Sequence, residues 1–296
     1  MQRAALLALV IGSGACAPSR PVPLVLPPLP RVLVVAPHPD DETIAAGGLI
    51  TRLTARGAPV TVVFVTDGDG WQWAVQANVG RPDVGPEDYR ALGVRREGEA
   101  RQAARALGLA DGALRFLRFP DGGLDELWTA HWRRTAPYTS VFTERDRPPG
   151  AAPGVRYDGE DLIATLIAVV EDVRPDVVVL PHPSDSHADH ATVGLFVARA
   201  VDAATARGLL PARPQCLAYL VHHPHWPPSP NGADDPMPPP APALVPHTSW
   251  RDFALAPAER AAKSRALAAY ATQLAASPDF LHRFLRPNEV FAALAP

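Results

Sequence analysis

Arg31-Val-Leu-Val-Val-Ala-Pro-His-Pro-Asp-Asp-Glu42 (RVLVVAPHPDDE, residues 31–42) joins an apolar run directly to a histidine and three consecutive carboxylates. Val32 to Val35 carry no polar interruption, the pattern of a central parallel strand buried on both faces. Pro37 and Pro39 cannot donate a backbone hydrogen bond, so they end the ladder. His38, Asp40, Asp41 and Glu42 are then left at the carboxyl edge of the sheet. In open α/β sheets ligands bind at that edge.

Outward from this stretch, buried strands alternate with amphipathic helices. Thr43 to Arg56 has Ile44, Leu49, Ile50 and Leu53 near helical spacing and Gly57 as a stop. Val60 to Val65 is a second buried strand that ends in Thr66-Asp67-Gly68-Asp69-Gly70. Leu92 to Leu107 reads as a helix, Leu114 to Leu117 as a short strand before Phe119-Pro120-Asp121-Gly122-Gly123, and residues 124–158 as an insertion without a period. Leu162 to Val173 is helical, Asp176 to Leu180 a strand, Ala188 to Arg207 a helix and Cys216 to Val221 a further strand. The alternation predicts an α/β, three-layer, Rossmann-like fold with a mostly parallel sheet and its site at the C-terminal ends of the strands.

The later strand repeats the opening design. Val177-Val178-Val179-Leu180 runs into Pro181-His182-Pro183-Ser184-Asp185, followed by Ser186-His187-Ala188-Asp189-His190 at a helix start. Two strands thus deliver histidine and aspartate to one edge, and His187 and His190 are spaced to share a helix face. Imidazole and carboxylate ligands suit zinc, whose catalytic sites take three protein ligands and keep one position open. They also admit iron, cobalt or nickel. No glycine-rich phosphate loop follows the first strand, against a dinucleotide site. His182 and Asp185 taken singly read as turn or cap residues.

A 296-residue chain that is 47% hydrophobic and 20% charged can bury a sizeable core. Its net charge is −3, with no basic face for nucleic acid. The basic residues are arginine apart from Lys263. The 35 prolines, about twice the usual share, gather at 18–30 and 224–246, which read as linker or loop. Residues 1–15 have the positive start, short apolar run and small-residue end of a signal peptide, and 16–30 read as a Pro-rich tether. Cys16 stands where a bacterial lipoprotein carries its acyl group, although Ser13 departs from the usual leucine. The expectation is an exported envelope protein, lipid-anchored at Cys16 or otherwise periplasmic or secreted. Cys216 reads as buried.

Pro37-His38-Pro39-Asp40-Asp41-Glu42 and His187-Ala188-Asp189-His190 together resemble the signature segments of the LmbE/PIG-L family of zinc-dependent N-acetylglucosaminyl deacetylases. Weaker matches are Thr66-Asp67-Gly68, Arg96 with Glu99, Pro120-Asp121-Gly122, Lys263, Gln273 and Glu289 with Phe291, so the resemblance spans residues 31–292 and 31–296 would form one deacetylase domain. It implies that His38, Asp41 and His190 bind Zn2+ and that Asp40 is the base for metal-activated water. His187 would stabilise the oxyanion or protonate the departing amine, with Asp189 tuning it. Arg96 and Asp121 would contact a small-molecule or glycan substrate. Some relatives place a catalytic tyrosine where this chain has Asp185.

Other readings of these residues stay open on sequence alone. Asp41 can cap the helix near Thr43, and Asp189 can complement a helix dipole. Arg96 and Glu99 can form an exposed helical ion pair. His222-His223-Pro224-His225-Trp226 reads as a cleft wall, and Trp71, Trp73 and Trp226 either stack on sugars or pin loops. The competing functions are a metal amidohydrolase or esterase on a non-sugar substrate, and a zinc-binding envelope lipoprotein without catalysis.

Overall fold

The computed structural model describes residues 22–294, apart from 233, 243, 244 and 247. The segment expected as a signal peptide, with Cys16, lies outside the described residues. Within the expected tether, β1 (Val22–Pro23) pairs in parallel with a late strand, and Leu24 and Leu26 pack on the core. Residues 22–26 are therefore an edge of the sheet, a correction to the tether.

The strands and helices follow as β2 (Val32–Ala36), α1 (Asp41–Ala55), β3 (Val60–Thr66), α2 (Gln72–Val79), α3 (Pro86–Ala106), β4 (Leu114–Phe119), α4 (Leu124–Trp128), α5 (Gly159–Val173), β5 (Val177–Pro181), α6 (Ala188–Ala206), β6 (Gln215–Tyr219), β7 (Ser249–Ala254), α7 (Pro257–Ala268), α8 (Ala271–Ala276), α9 (Pro278–His282) and β8 (Asn288–Ala293). One sheet has the order β1-β7-β8-β6-β5-β2-β3-β4. Strands β4, β3, β2, β5 and β6 are mutually parallel, and β8 runs antiparallel between β6 and β7.

Side-chain alternation along the strands fills two cores. Val32, Val34, Val62, Phe64, Val177 and Val179 pack on the side of α1, α3 and α7. Leu33, Val35, Val63, Val65, Val178 and Leu180 pack on the side of α5 and α6. The expected three-layer, mostly parallel sheet is what forms. From β2 the chain winds out to β3 and β4, then returns to β5 on the other flank of β2. The carboxyl ends of β2 and β5 thus open a crevice at the point where the winding reverses, the usual ligand position in such sheets.

Several elements escaped sequence reading. The stretch before Leu92 is already helical, because Gly85 receives the Asp88 carboxylate on its amide and Pro86 occupies the first helical position. Residues 249–293 supply two strands and three helices, two of those helices being too short to show a period.

Candidate active site

Five connections converge on the crevice. The turn after β2 brings His38 to Asp41, the turns after β3 and β4 bring Gly70 and Asp121, the β5–α6 turn brings Asp185 to His190, and the end of β6 brings His222. His38, Asp40, Asp41, Arg96, Asp121 and His187 line one cavity of about 510 Å3. Asp189 and His190, both fully buried, stand behind it.

His38 Nδ1, Asp41 Oδ2 and His190 Nε2 form a triangle with edges of 3.2, 3.2 and 3.3 Å. Donors about 2.0–2.2 Å from a tetrahedral ion would lie at close to this spacing, so the triad fits a divalent metal. His38, His187 and Asp189 make a second grouping within reach of one ion. That set competes for His38 Nε2, which already lies 3.0 Å from Asp121 Oδ1 and 3.2 Å from Asp189 Oδ2. The first triad leaves those contacts intact and is the better cradle.

Local structure explains the aim of the carboxylates at the start of α1. Asp41 begins α1, and its Oδ2 accepts the His38 amide at 2.9 Å, so the carboxylate folds back over the turn. Asp40, the preceding residue, has φ 125°, a conformation that costs a non-glycine residue about 1–3 kcal/mol. The Asp40 amide is held by Glu42, whose other oxygen accepts the hydroxyls of Thr43 and Tyr270. Glu42 is thus spent on posture, and Asp40 remains free to line the cavity.

Charges around the triad are unbalanced. Burial pushes Asp40 up to about 7, Arg96 opposes it, and Asp41 and Glu42 add to the rise. Burial would lower both histidines. Asp121, Asp189 and Asp41 nevertheless hold His38 well above its ordinary value, and Asp41 with Asp185 raises His190 to about 9. A dication would relieve this crowd of carboxylates. His187 goes the other way, lowered by burial and by the neighbouring His38 and His190 rings, and its buried Nδ1 has no hydrogen-bond partner.

Asp189 accepts the Gly122 and Leu124 amides and lies 3.2 Å from His38 Nε2, while its charge also opposes the lowering of His187. Asp121 accepts the Gly70 amide besides facing His38, and thereby steadies that ring while lining the cavity. Arg96 is buried, donates to the carbonyls of Gly68 and Pro39, and lies 3.4 Å from Asp40. It is no exposed partner of Glu99, which instead accepts the amide and hydroxyl of Thr272. A Cβ on Gly68 would meet the Arg96 guanidinium at 2.2 Å, and Gly68 also has φ +66°, so glycine is required there.

Asp185 satisfies its turn, as the sequence suggests, and also reaches the triad. Its carboxylate accepts the amides of His187, Val221 and His222, and Oδ2 stands 3.4 Å from His190 Nδ1 as a charge contact without good hydrogen-bond geometry. Trp226 donates to Pro238 O and packs near Phe284, so it pins its loop. His222 does face the site, stacked on Phe280.

The profile of the family described as PIG-L, GlcNAc-PI de-N-acetylase, matches residues 33–201, more than half of the chain. The chain belongs to the PIG-L family. A 1D-myo-inositol 2-acetamido-2-deoxy-alpha-D-glucopyranoside deacetylase of Kineococcus radiotolerans is 31% identical over 84% of this chain and 70% of its own length. The enzyme of the same name from Nocardia farcinica is 35% identical over 60% of this chain, and there the chain spans only 53% of the relative's length. The fold is shared with N,N'-diacetylchitobiose deacetylase of Pyrococcus horikoshii, at TM-score 0.52 and 20% identity over 89% of this chain and 83% of that one.

These PIG-L relatives also correct the expected export and lipid anchoring at Cys16. They are named for a small inositol-linked acetamido sugar, not an envelope polymer, so the family gives no support to an envelope address. Among the described residues no helix is long and apolar enough to cross a membrane.

Proposed function

We propose that the chain is a metal-dependent N-deacetylase that hydrolyses the acetamide of an N-acetylglucosamine-type sugar or a related glycoside, with zinc as the resident ion. The observation that carries this reading is the arrangement of the two carboxylates at the start of α1. Asp41 belongs to the 3.2–3.3 Å donor triangle, whereas Asp40 lines the cavity outside that triangle. A pure metal store has no use for that second carboxylate.

His38, Asp41 and His190 would hold the ion, which supplies Lewis acidity to the amide carbonyl and lowers the pKa of water. Asp40 takes the proton from the attacking water; burial lifts its pKa to about 7 in spite of Arg96, 3.4 Å away, so the carboxylate is basic enough for that role. His187 borders the same cavity with a buried, unpartnered Nδ1. It passes a proton to the leaving nitrogen or hydrogen-bonds the developing oxyanion. Asp121 and Asp189 fix the His38 ring, so that its Nδ1 is presented to the ion.

Asp40→Asn tests the assignment. Zinc stoichiometry by atomic absorption is expected to stay at the wild-type value, while acetate release from N-acetylglucosamine falls by about 10²–10⁴-fold, the usual worth of a general base. Normal turnover by that variant would remove Asp40 as the base.

A further inference from the structure

The cavity is divided by chemistry. Its floor is buried and charged, formed by His38, Asp40, Asp41, Arg96 and Asp121. Its walls are aromatic and reach the surface: Trp71 is 40% exposed, and Phe142 and Phe280 are part-buried. These rings come from three separate segments, the turn after β3, the 129–158 loop and α9. Phe142 reaches the wall because Gly70 and Gly122 lack side chains; a Cβ on either would lie 3.0 Å from its ring. Phe280 is fixed from behind by His222, stacked at 5.1 Å and 7°.

The walls also lack free positive charge. Arg96 is the only arginine or lysine among the described residues lining the cavity, and its two terminal nitrogens are committed to Gly68 O and Pro39 O beside Asp40. A phosphate or carboxylate on the outer part of a substrate would find no cation there and would face the carboxylates of the floor. Desolvating an anion without a partner is costly. An uncharged ring or chain would instead cover aromatic surface.

We propose that the part of the substrate beyond the reacting acetamide is uncharged and apolar, an aryl or alkyl aglycone held between Trp71, Phe142 and Phe280. The inference rests on the deacetylase reading for its reaction, but its binding component stands separately. Among relatives, this would set the chain apart from any that takes a phosphorylated glycoside.

The experiment uses the zinc-loaded full chain and three matched probes: N-acetylglucosamine, its phenyl glycoside and its 1-phosphate. The expected order of kcat/KM for acetate release is phenyl glycoside above free sugar by about tenfold, with the 1-phosphate lowest. Phe280→Ala, Trp71→Ala and Phe142→Ala should each shrink the ratio of phenyl glycoside to free sugar, and Phe280→Tyr should preserve it. Equal rates, or preference for the phosphate, would overturn the inference while leaving the deacetylase reading intact. Calorimetric titration with the matching amines separates the opposite case. Tighter binding of phenyl glucosaminide without turnover of any probe overturns the reaction and keeps the apolar subsite. Neither turnover nor preferential binding overturns both.

Discussion

At the scale of single residues, the centre depends on side chains that never touch a substrate. Asp185 is the clearest case, because three backbone amides lock its carboxylate and aim one oxygen at the outer nitrogen of His190. A carboxylate behind a ligating imidazole orients the ring and makes it a better donor, an effect of about 10–100-fold in metal affinity. Asp185→Asn is therefore expected to weaken zinc binding by about that factor, read by competition with a chelator of known affinity. A role confined to the turn would lower thermal stability and leave the affinity unchanged. Sequence reading reached His38, Asp40, Asp41, His187, Asp189 and His190 through two motifs and gave Asp185 its turn role, but the contact with His190 stayed hidden behind that ordinary local explanation. Phe280 gave no signal at all. A phenylalanine near a chain end looks the same whether it fills a core or lines a cavity.

At the scale of elements, α1 must be held tightly, since Asp40 and Asp41 sit at its beginning. An ion pair is spliced into its backbone ladder. Lys263 of α7 donates to Ile44 O at 2.8 Å, and Glu289 of β8 accepts the Gly48 and Leu49 amides at 2.7 and 2.9 Å. Ile44 O and Gly48 N are four residues apart, the pair that an α-helix bonds to itself. Gly47 makes the close approach feasible: a Cβ there would stand 3.1 Å from Lys263 Cγ. The two charged groups lie 2.8 Å apart and are almost wholly buried. Removing one member leaves an uncompensated charge, so Glu289→Gln should lose about 3–5 kcal/mol in urea unfolding. Combined with Lys263→Met it should lose less than the two single changes summed. Lys263 is the only lysine of the chain, and its isolation in an arginine-rich sequence was visible without its purpose. That purpose requires α1, α7 and β8 to be neighbours, and residues 249–293 showed no periodic pattern that placed them.

At the scale of the whole molecule, fold and metal should be separable. The sheet and its two apolar cores do not involve the triad, so dialysis against a chelator should abolish acetate release and leave far-ultraviolet circular dichroism in place. At a hundredfold excess over Kd, zinc should add about 2.7 kcal/mol, roughly 5–10 °C in Tm. Metal affinity should weaken as pH falls. Burial disfavours a charged His190, but Asp41 and Asp185 hold its pKa up to about 9, so at neutral pH the metal-free ring carries a proton that the ion must displace. Titration calorimetry in buffers of differing ionisation enthalpy would detect that release. The sequence by itself determined the alternation of strands and helices, and it placed His38, Asp40, Asp41, His187 and His190 just beyond buried strands, because those signals act over a few residues. Only the tertiary structure decided that β5 lies beside β2, which brings His190 to His38 across 152 positions. It likewise decided that Asp189 and Asp121 serve His38 and that the late helices wall the cavity. Such pairings depend on sheet order and side-chain direction, which no local spacing encodes.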